Sequence, residues 1–117
     1  MRASEIMTRD PQCVSPSDSV QQAARIMRDS DVGIVPVVVR GSQQRVRGEI
    51  NAPEIALRCV AGGRRRSFRL SDLMSNDLVT VRPNDDLSQV MNRMKAEQVR
   101  RIPVVDDNNV LVGIIAQ

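Results

Sequence analysis

Val32-Gly33-Ile34-Val35-Pro36-Val37-Val38 returns 67 residues later as Val99-Arg100-Arg101-Ile102-Pro103-Val104-Val105. The likeness spreads outward from this stretch without a gap, Arg2 to Val38 against Arg69 to Val105, with 13 of 37 positions identical. Arg2/Arg69, Met7/Met74, Val14/Val81, Pro16/Pro83, Asp18/Asp85, Met27/Met94 and Pro36/Pro103 are among them. After a two-residue difference in loop length the match resumes, Val46-Arg47-Gly48-Glu49-Ile50 against Leu111-Val112-Gly113-Ile114-Ile115. A repeat of this period decides the architecture before any single element does. It predicts two pseudo-symmetric halves, residues 1–66 and 67–117, with function sought in a cleft between them.

Each copy carries the same local signals. Val20, Ala23, Ala24 and Met27 fall at i, i+3, i+4 and i+7, as do Leu87, Val90, Met91 and Met94, which predicts an amphipathic helix in each. Pro16-Ser17 and Pro83-Asn84 read as the helix starts, with Asp18, Asp85 and Asp86 where the positive helix end favours negative charge. The apolar, β-branched runs Ile34 to Val39 and Ile102 to Val105 read as short strands, each with a proline suited to an edge. Polar connections at 40–45 and 106–109 lead into Val46 to Ile50 and Val110 to Ile115, predicting a hairpin in each copy. Short helices at Ala3 to Met7 and Leu70 to Met74, and short strands near Cys13-Val14 and Thr80-Val81, complete the unit. A second helix over Pro53 to Val60, with Ile55, Ala56 and Val60 on one side and Gly62-Gly63 as its stop, is expected in the first copy only; its counterpart would follow Ile115, and the sequence ends at Gln117.

Composition narrows the chemistry. With 117 residues, 41% of them hydrophobic, one compact domain with a core is possible. One Phe and no Trp or Tyr leave that core to Val, Ile, Leu, Met and Ala, and remove the aromatic platforms on which single-strand and RNA readers stack bases. Histidine is absent, and Cys13 and Cys59 stand far apart with no CxxC spacing. A metal site, a Cys/His nucleophile and the common acid–base sets therefore lack material, so catalysis is not expected. No apolar run approaches the roughly 20 residues of a spanning helix and no signal peptide opens the chain, so the expected address is cytoplasmic, without membrane contact. The net charge of +3 comes from the first copy and the connector, notably Arg64-Arg65-Arg66 and Arg69. These arginines read as a solvated connector, or as an anion or nucleic-acid contact.

The ordered set of motifs resembles a tandem pair of cystathionine-β-synthase (CBS) domains, the arrangement called a Bateman module. The carriers are Ser4-Glu5-Ile6-Met7-Thr8 and Ser71-Asp72-Leu73-Met74-Ser75, Val14-Ser15-Pro16 and Val81-Arg82-Pro83, the Pro-Val-Val strands, and the strands that follow Gly48 and Gly113. The resemblance implies an α/β (α+β) fold of two CBS repeats, each a small sheet with flanking helices, packed through their sheets. It also implies a non-catalytic sensor that binds AMP, ADP, ATP or S-adenosylmethionine as a regulatory ligand rather than a cofactor. Homodimerisation and an unknown protein partner are implied as well.

In the family the third strand runs into Gly-h-h-Thr/Ser-x-x-Asp, where hydroxyl and helix end meet phosphate and the carboxylate takes ribose hydroxyls. Here the first copy reads Gly48-Glu49-Ile50-Asn51-Ala52-Pro53-Glu54, with Asn51 and Glu54 at the two polar positions and a charge at Glu49. Asn51 and Glu54 are ligand candidates, and are equally well read as an N-cap and the third residue of a capping box. Glu49 reads as a solvent-facing edge or a partner for a nearby arginine. The second copy has Ala116 at the hydroxyl position, but places Arg100-Arg101 before its Ile-Pro strand, where the resemblance puts a basic residue facing phosphate. Arginine suits that task through its planar fork. Val14, Ile34, Val35, Val81 and Ile102 are the candidates for holding an adenine ring, and are as readily plain core; Thr80 is a further ligand-binding candidate. Two readings stand beside the sensor: a degenerate pair acting as a dimeric interaction scaffold, and nucleic-acid contact through Arg64 to Arg69.

Overall fold

The computed structural model describes residues 1–41, 43–63, 69–76 and 78–117. In chain order the elements are α1 (Ala3–Ile6), β1 (Thr8–Arg9), α2 (Val20–Ser30), β2 (Ile34–Arg40), β3 (Gln44–Asn51), α3 (Ala52–Glu54, continuing as a π-helix over Ile55–Val60), a 3₁₀ turn (Leu70–Asp72), α4 (Leu87–Glu97), β4 (Arg101–Val105) and β5 (Leu111–Ala116). The two amphipathic helices and both pairs of neighbouring strands fall where the periodicity puts them. The mixed helix and strand class is that of the sequence reading.

Packing cuts the chain differently from its repeats. A central unit comprises Gln12–Ser42 and Arg47–Leu78; a carboxy-terminal unit comprises Met1–Pro11, Gln43–Val46 and Val79–Gln117. The opening of each copy thus packs on the body of the other. In the carboxy-terminal unit Ala3 is fully buried with Val81, Val90, Met94, Ile102, Val104 and Ile115, and Met7 packs against them. In the central unit Leu70 and Met74 take the corresponding places against Val14, Val20, Ala23, Met27, Val35, Val37 and Ile50, and Leu73, whose counterpart Ile6 is exposed, is buried there as well. Burying each such aliphatic side chain stabilises by roughly 1.5–3 kcal/mol.

The same strand logic builds each unit. In the carboxy-terminal unit the sheet order is β1-β5-β4, all antiparallel, with Thr8 opposite Ile114 and Arg101 opposite Ala116, and Val81 forms a single parallel bridge to Val104. In the central unit β2 neighbours β3, Ser75 bridges Glu49 as Thr8 pairs with Ile114, and Val14 bridges Val37. The strands expected near Cys13-Val14 and Thr80-Val81 are therefore single bridges.

Gly48 and Gly113 make the exchanged openings possible. A Cβ on Gly48 would lie 2.2 Å from the Ser75 carbonyl oxygen, and one on Gly113 would lie 2.6 Å from Met7 Sδ and 3.0 Å from the Thr8 oxygen. Only glycine admits backbone this close.

Three local expectations are corrected. The helices start two residues later than Pro16-Ser17 and Pro83-Asn84 suggest: the N-caps are Ser19, whose hydroxyl accepts from Gln22 N–H at 3.1 Å, and Asp86. The earlier aspartates close the turn before the helix, Asp18 accepting from Ser15 N–H and Asp85 from Arg82 N–H, both at 2.9 Å. The helix after β3 widens: Ala61 N–H donates to the Ala56 carbonyl five residues back, at 2.9 Å. The wider turn puts Ile55 and Cys59 toward the core and turns out Ala56 and Val60, which normal helical spacing had placed inside.

Candidate functional site

In the central unit Val35, Val37 and Ile50 point into the core, so strand alternation puts Ile34, Pro36 and Val38 of β2, with Glu49 and Asn51 of β3, on the opposite face. Ala52 N–H donates to the Gly33 carbonyl at 2.9 Å, which brings the end of β3 and the start of β2 together. Of the candidates here, Ile34 and Asn51 share this opposite face, both half-buried, and Pro36 and Val38 of that face are buried. Val14 and Val35 are core residues; Val14 N–H donates to the Pro36 carbonyl and its own carbonyl accepts from Val38 N–H, so its backbone is engaged as well.

Asn51 Oδ1 accepts from Glu54 N–H at 2.9 Å, capping α3. The cap uses the oxygen and leaves the side-chain NH₂ as donor. Glu54 does not return to the Asn51 N–H: its carboxylate meets Arg58 Nη1 at 3.4 Å, one turn along the helix, so the capping box is only half made. Glu49 exchanges two backbone hydrogen bonds with Ser75, its N–H donating to Ser75 O at 3.0 Å and its carbonyl accepting from Ser75 N–H at 2.9 Å. Its half-buried carboxyl meets no arginine among the described residues, and burial holds it above the usual carboxylate range.

The carboxy-terminal unit repeats the construction with other side chains. Gln117 N–H donates to the Arg100 carbonyl at 2.9 Å, as Ala52 does to Gly33. Ile102 and Val81 are buried in the core, so Arg101, Pro103, Val105, Ile114 and Ala116 form the opposite face; Pro103, Val105 and Ile114 are buried there too, and Arg101 sits half-buried opposite the exposed Ala116 in register. Thr80 is half-buried. The pair Arg100-Arg101 is divided. Arg100, with Met91, Met94, Lys95, Val99 and Gln117, lines a groove of about 410 Å³ beside α4, and Arg101 is not part of that lining. In the central unit Met27 and Cys59 belong to one core cluster, with Val32 and Ile55 packed against it.

One group gained its meaning only from the fold: Glu49 is half-buried on the same face of β3 as the exposed Arg47 and as Asn51, and the signal in the sequence was its mismatch with Ile114. Arg64-Arg65-Arg66 of the basic segment lie outside the described residues. Arg69 bridges Ser19, and its N–H donates to Asp72 Oδ2 at 3.2 Å. Among the described residues no helix is long and apolar enough to cross a membrane, and no group of three His, Cys, Asp or Glu side chains is placed to hold a metal ion.

The sequence profile of the CBS domain matches residues 3–57 and 70–117. A CBS domain-containing protein of Bacillus subtilis, YhcV, is 40% identical over 112 residues, which span 96% of this chain and 77% of the relative. The fold superposes on the CBS domain pair of protein MJ0100, solved with 5′-methylthioadenosine and S-adenosyl-L-methionine, with a TM-score of 0.83 at 22% identity, covering 99% of this chain and 89% of that one. It superposes equally on CBSX2 in complex with AMP, TM-score 0.82 at 22% identity, covering 99% and 90%. Two profile matches in tandem, a 40% identical relative and the duplicated sheet construction agree, and the chain belongs to the CBS domain family as a CBS domain pair.

Proposed function

We propose that this CBS pair is a non-catalytic regulatory module that binds an adenosine-containing ligand at the β2/β3 and β4/β5 ends. One observation carries the reading: the twin backbone bonds, Ala52 to Gly33 and Gln117 to Arg100, close equivalent strand ends, and a half-buried polar side chain, Asn51 or Arg101, stands beside each. Amide N–H and guanidinium groups donate to phosphate and hydroxyl oxygens, and the Glu54 carboxylate accepts from ribose hydroxyls. The structural neighbours bound to AMP and to S-adenosylmethionine support the ligand class. Titration calorimetry with AMP, ADP, ATP and S-adenosylmethionine tests it: saturable heat with at least one ligand is expected, and silence across all four at millimolar concentration refutes it.

A homodimer belongs to the same proposal. Leu57 and Val60 stand three apart on the outer side of the π-helix, 69% and 71% exposed, an apolar pair suited to a second copy. If binding fails while the dimer persists, the scaffold reading replaces the sensor.

A further inference from the structure

The groove beside α4 lies on the helix side of the strand end that Gln117 and Arg100 close, and Arg101 stands outside it. Its volume of about 410 Å³ falls within the roughly 300–1,000 Å³ of small-molecule sites. Met91, Met94 and Val99 give it an apolar lining: Met94 is fully buried, Val99 half-buried and Met91 37% exposed. Lys95 and Arg100 add two cations, and the other lining residues, Asn92, Gln98 and Gln117, are neutral.

The two copies differ here in charge. The first has Arg28, Asp29, Asp31 and Gly33 where the second has Lys95, Ala96, Gln98 and Arg100. Arg28 Nε meets Asp29 Oδ1 at 2.8 Å, so the first copy neutralises its cation at the end of α2. The second keeps a cation at that position, gains another and loses both aspartates; its one acid in this stretch, Glu97, is not part of the lining. Among the described residues the Lys95 and Arg100 side chains make no ion pair or hydrogen bond. The apolar lining differs as well. Met91 stands where the first copy has the half-buried Ala24, and a flexible thioether adapts to an irregular apolar guest.

An apolar trough edged by two unpaired cations matches an amphiphile with a single anionic head. The chain displaces water from methionine and valine, and the head pairs with ammonium and guanidinium, whose planar fork fits a carboxylate. We infer that the groove beside α4 binds a medium-chain acyl carboxylate, its chain on Met91, Met94 and Val99 and its carboxylate between Lys95 and Arg100. This site is separate from the adenosyl reading and does not rest on it.

NMR of the full chain, carbon-labelled at its six methionine methyl groups and titrated with dodecanoate below its micelle concentration, tests it. Saturable shifts are expected at Met91 and Met94, assigned through Met91→Leu and Met94→Leu, while Met27 and Met74 stay unmoved. Octanoate binds more weakly, by up to about fourfold for each methylene that no longer lies in the groove. Dodecyltrimethylammonium, with the same chain length and the opposite charge, gives no saturable shift there. Lys95→Gln with Arg100→Gln weakens dodecanoate about tenfold or more; both side chains are exposed, and circular dichroism melts confirm that the variant folds. A peptide helix of leucine and glutamate, run in parallel, covers the other occupant: if it moves the two methyl signals and dodecanoate does not, the groove takes protein and the inference fails. Equal shifts at Met27 and Met94, equal binding of the two surfactants, or a double variant that binds dodecanoate as the native chain does also overturns it. Adenosyl binding, read by calorimetry, stands or falls separately from each of these results.

Discussion

Gly48→Ala is the sharpest test of how the exchanged openings are held. The added Cβ would stand 2.2 Å from the Ser75 carbonyl oxygen and 3.1 Å from its carbon. Carbon-to-oxygen contacts relax at about 3.3–3.6 Å, so the backbone at Ser75 must retreat by about 1.1 Å. That retreat stretches the two Glu49–Ser75 hydrogen bonds, now 3.0 and 2.9 Å, beyond useful length. Each contributes about 0.5–1.5 kcal/mol. It also pulls at Leu70 and Leu73, which are buried in the same core. A loss of about 2–4 kcal/mol is expected, within the range of substitutions that break packed backbone. Gly113→Ala is the internal comparison. There the Cβ meets Met7 Sδ at 2.6 Å and Cγ at 2.8 Å, with the Thr8 oxygen at 3.0 Å. A thioether side chain can swing aside, so the cost is about 1–2 kcal/mol. Gly33→Ala meets nothing within 4 Å and its φ is not positive, so stability is unchanged or rises by about 0.4–1 kcal/mol. Urea unfolding followed by circular dichroism measures all three. With a slope of about 1–3 kcal/mol per molar, a loss of 3 kcal/mol lowers the midpoint by about 1–3 M. A Gly48→Ala midpoint equal to the native one, or a greater loss for Gly113→Ala than for Gly48→Ala, refutes the steric reasoning.

Three further outcomes are expected. Asn51→Ala removes the cap on α3 and lowers stability by about 0.5–2 kcal/mol in the same urea assay, while Asn51→Asp retains most of it. Glu49→Gln acts through linkage: a carboxyl whose folded pKa is raised by burial adds stability in acid that is lost as pH rises through that raised value, so the variant melts higher than the native chain at pH 7, and the gap closes as pH falls into the ordinary carboxylate range. Leu57→Asp with Val60→Asp, both on exposed positions, leaves the melting temperature nearly unchanged and shifts analytical ultracentrifugation to the monomer; a native chain that is already monomeric removes the homodimer from the proposal.

Much of the fold was legible because its signals are short-range. The apolar spacing of α2 and α4, the β-branched runs of β2 and β4, and Asn51 as a cap three residues before Glu54 are all settled within a turn or a strand. The errors were also local in cause. Ser17 and Asn84 carry capping chemistry, but the turn-closing bonds of Asp18 and Asp85 carry the chain past them, and the helices begin at Ser19 and Asp86. The π-helical widening after Glu54 changes which side chains face inward without altering the amphipathic composition. The candidate residues divide by burial: Asn51, Ile34 and Arg101 are half-buried at strand ends, while Val14, Val35, Val81 and Ile102 lie in the cores.

The sequence by itself determined that there are two copies, which family they form, and where their helices and strands begin to repeat. Only the tertiary structure decided which opening packs on which body. Two copies this alike offer nearly the same partners to either opening, Ala3 and Leu70 both being buried and Met7 and Met74 both packing against a core. Gly48 and Gly113 admit an opening on either body, so the choice is made by the path of the chain, not by any local preference. Tertiary structure likewise divided Arg100 from Arg101 and half-buried Glu49 without an ion pair among the described residues, because a charge takes its meaning from what surrounds it.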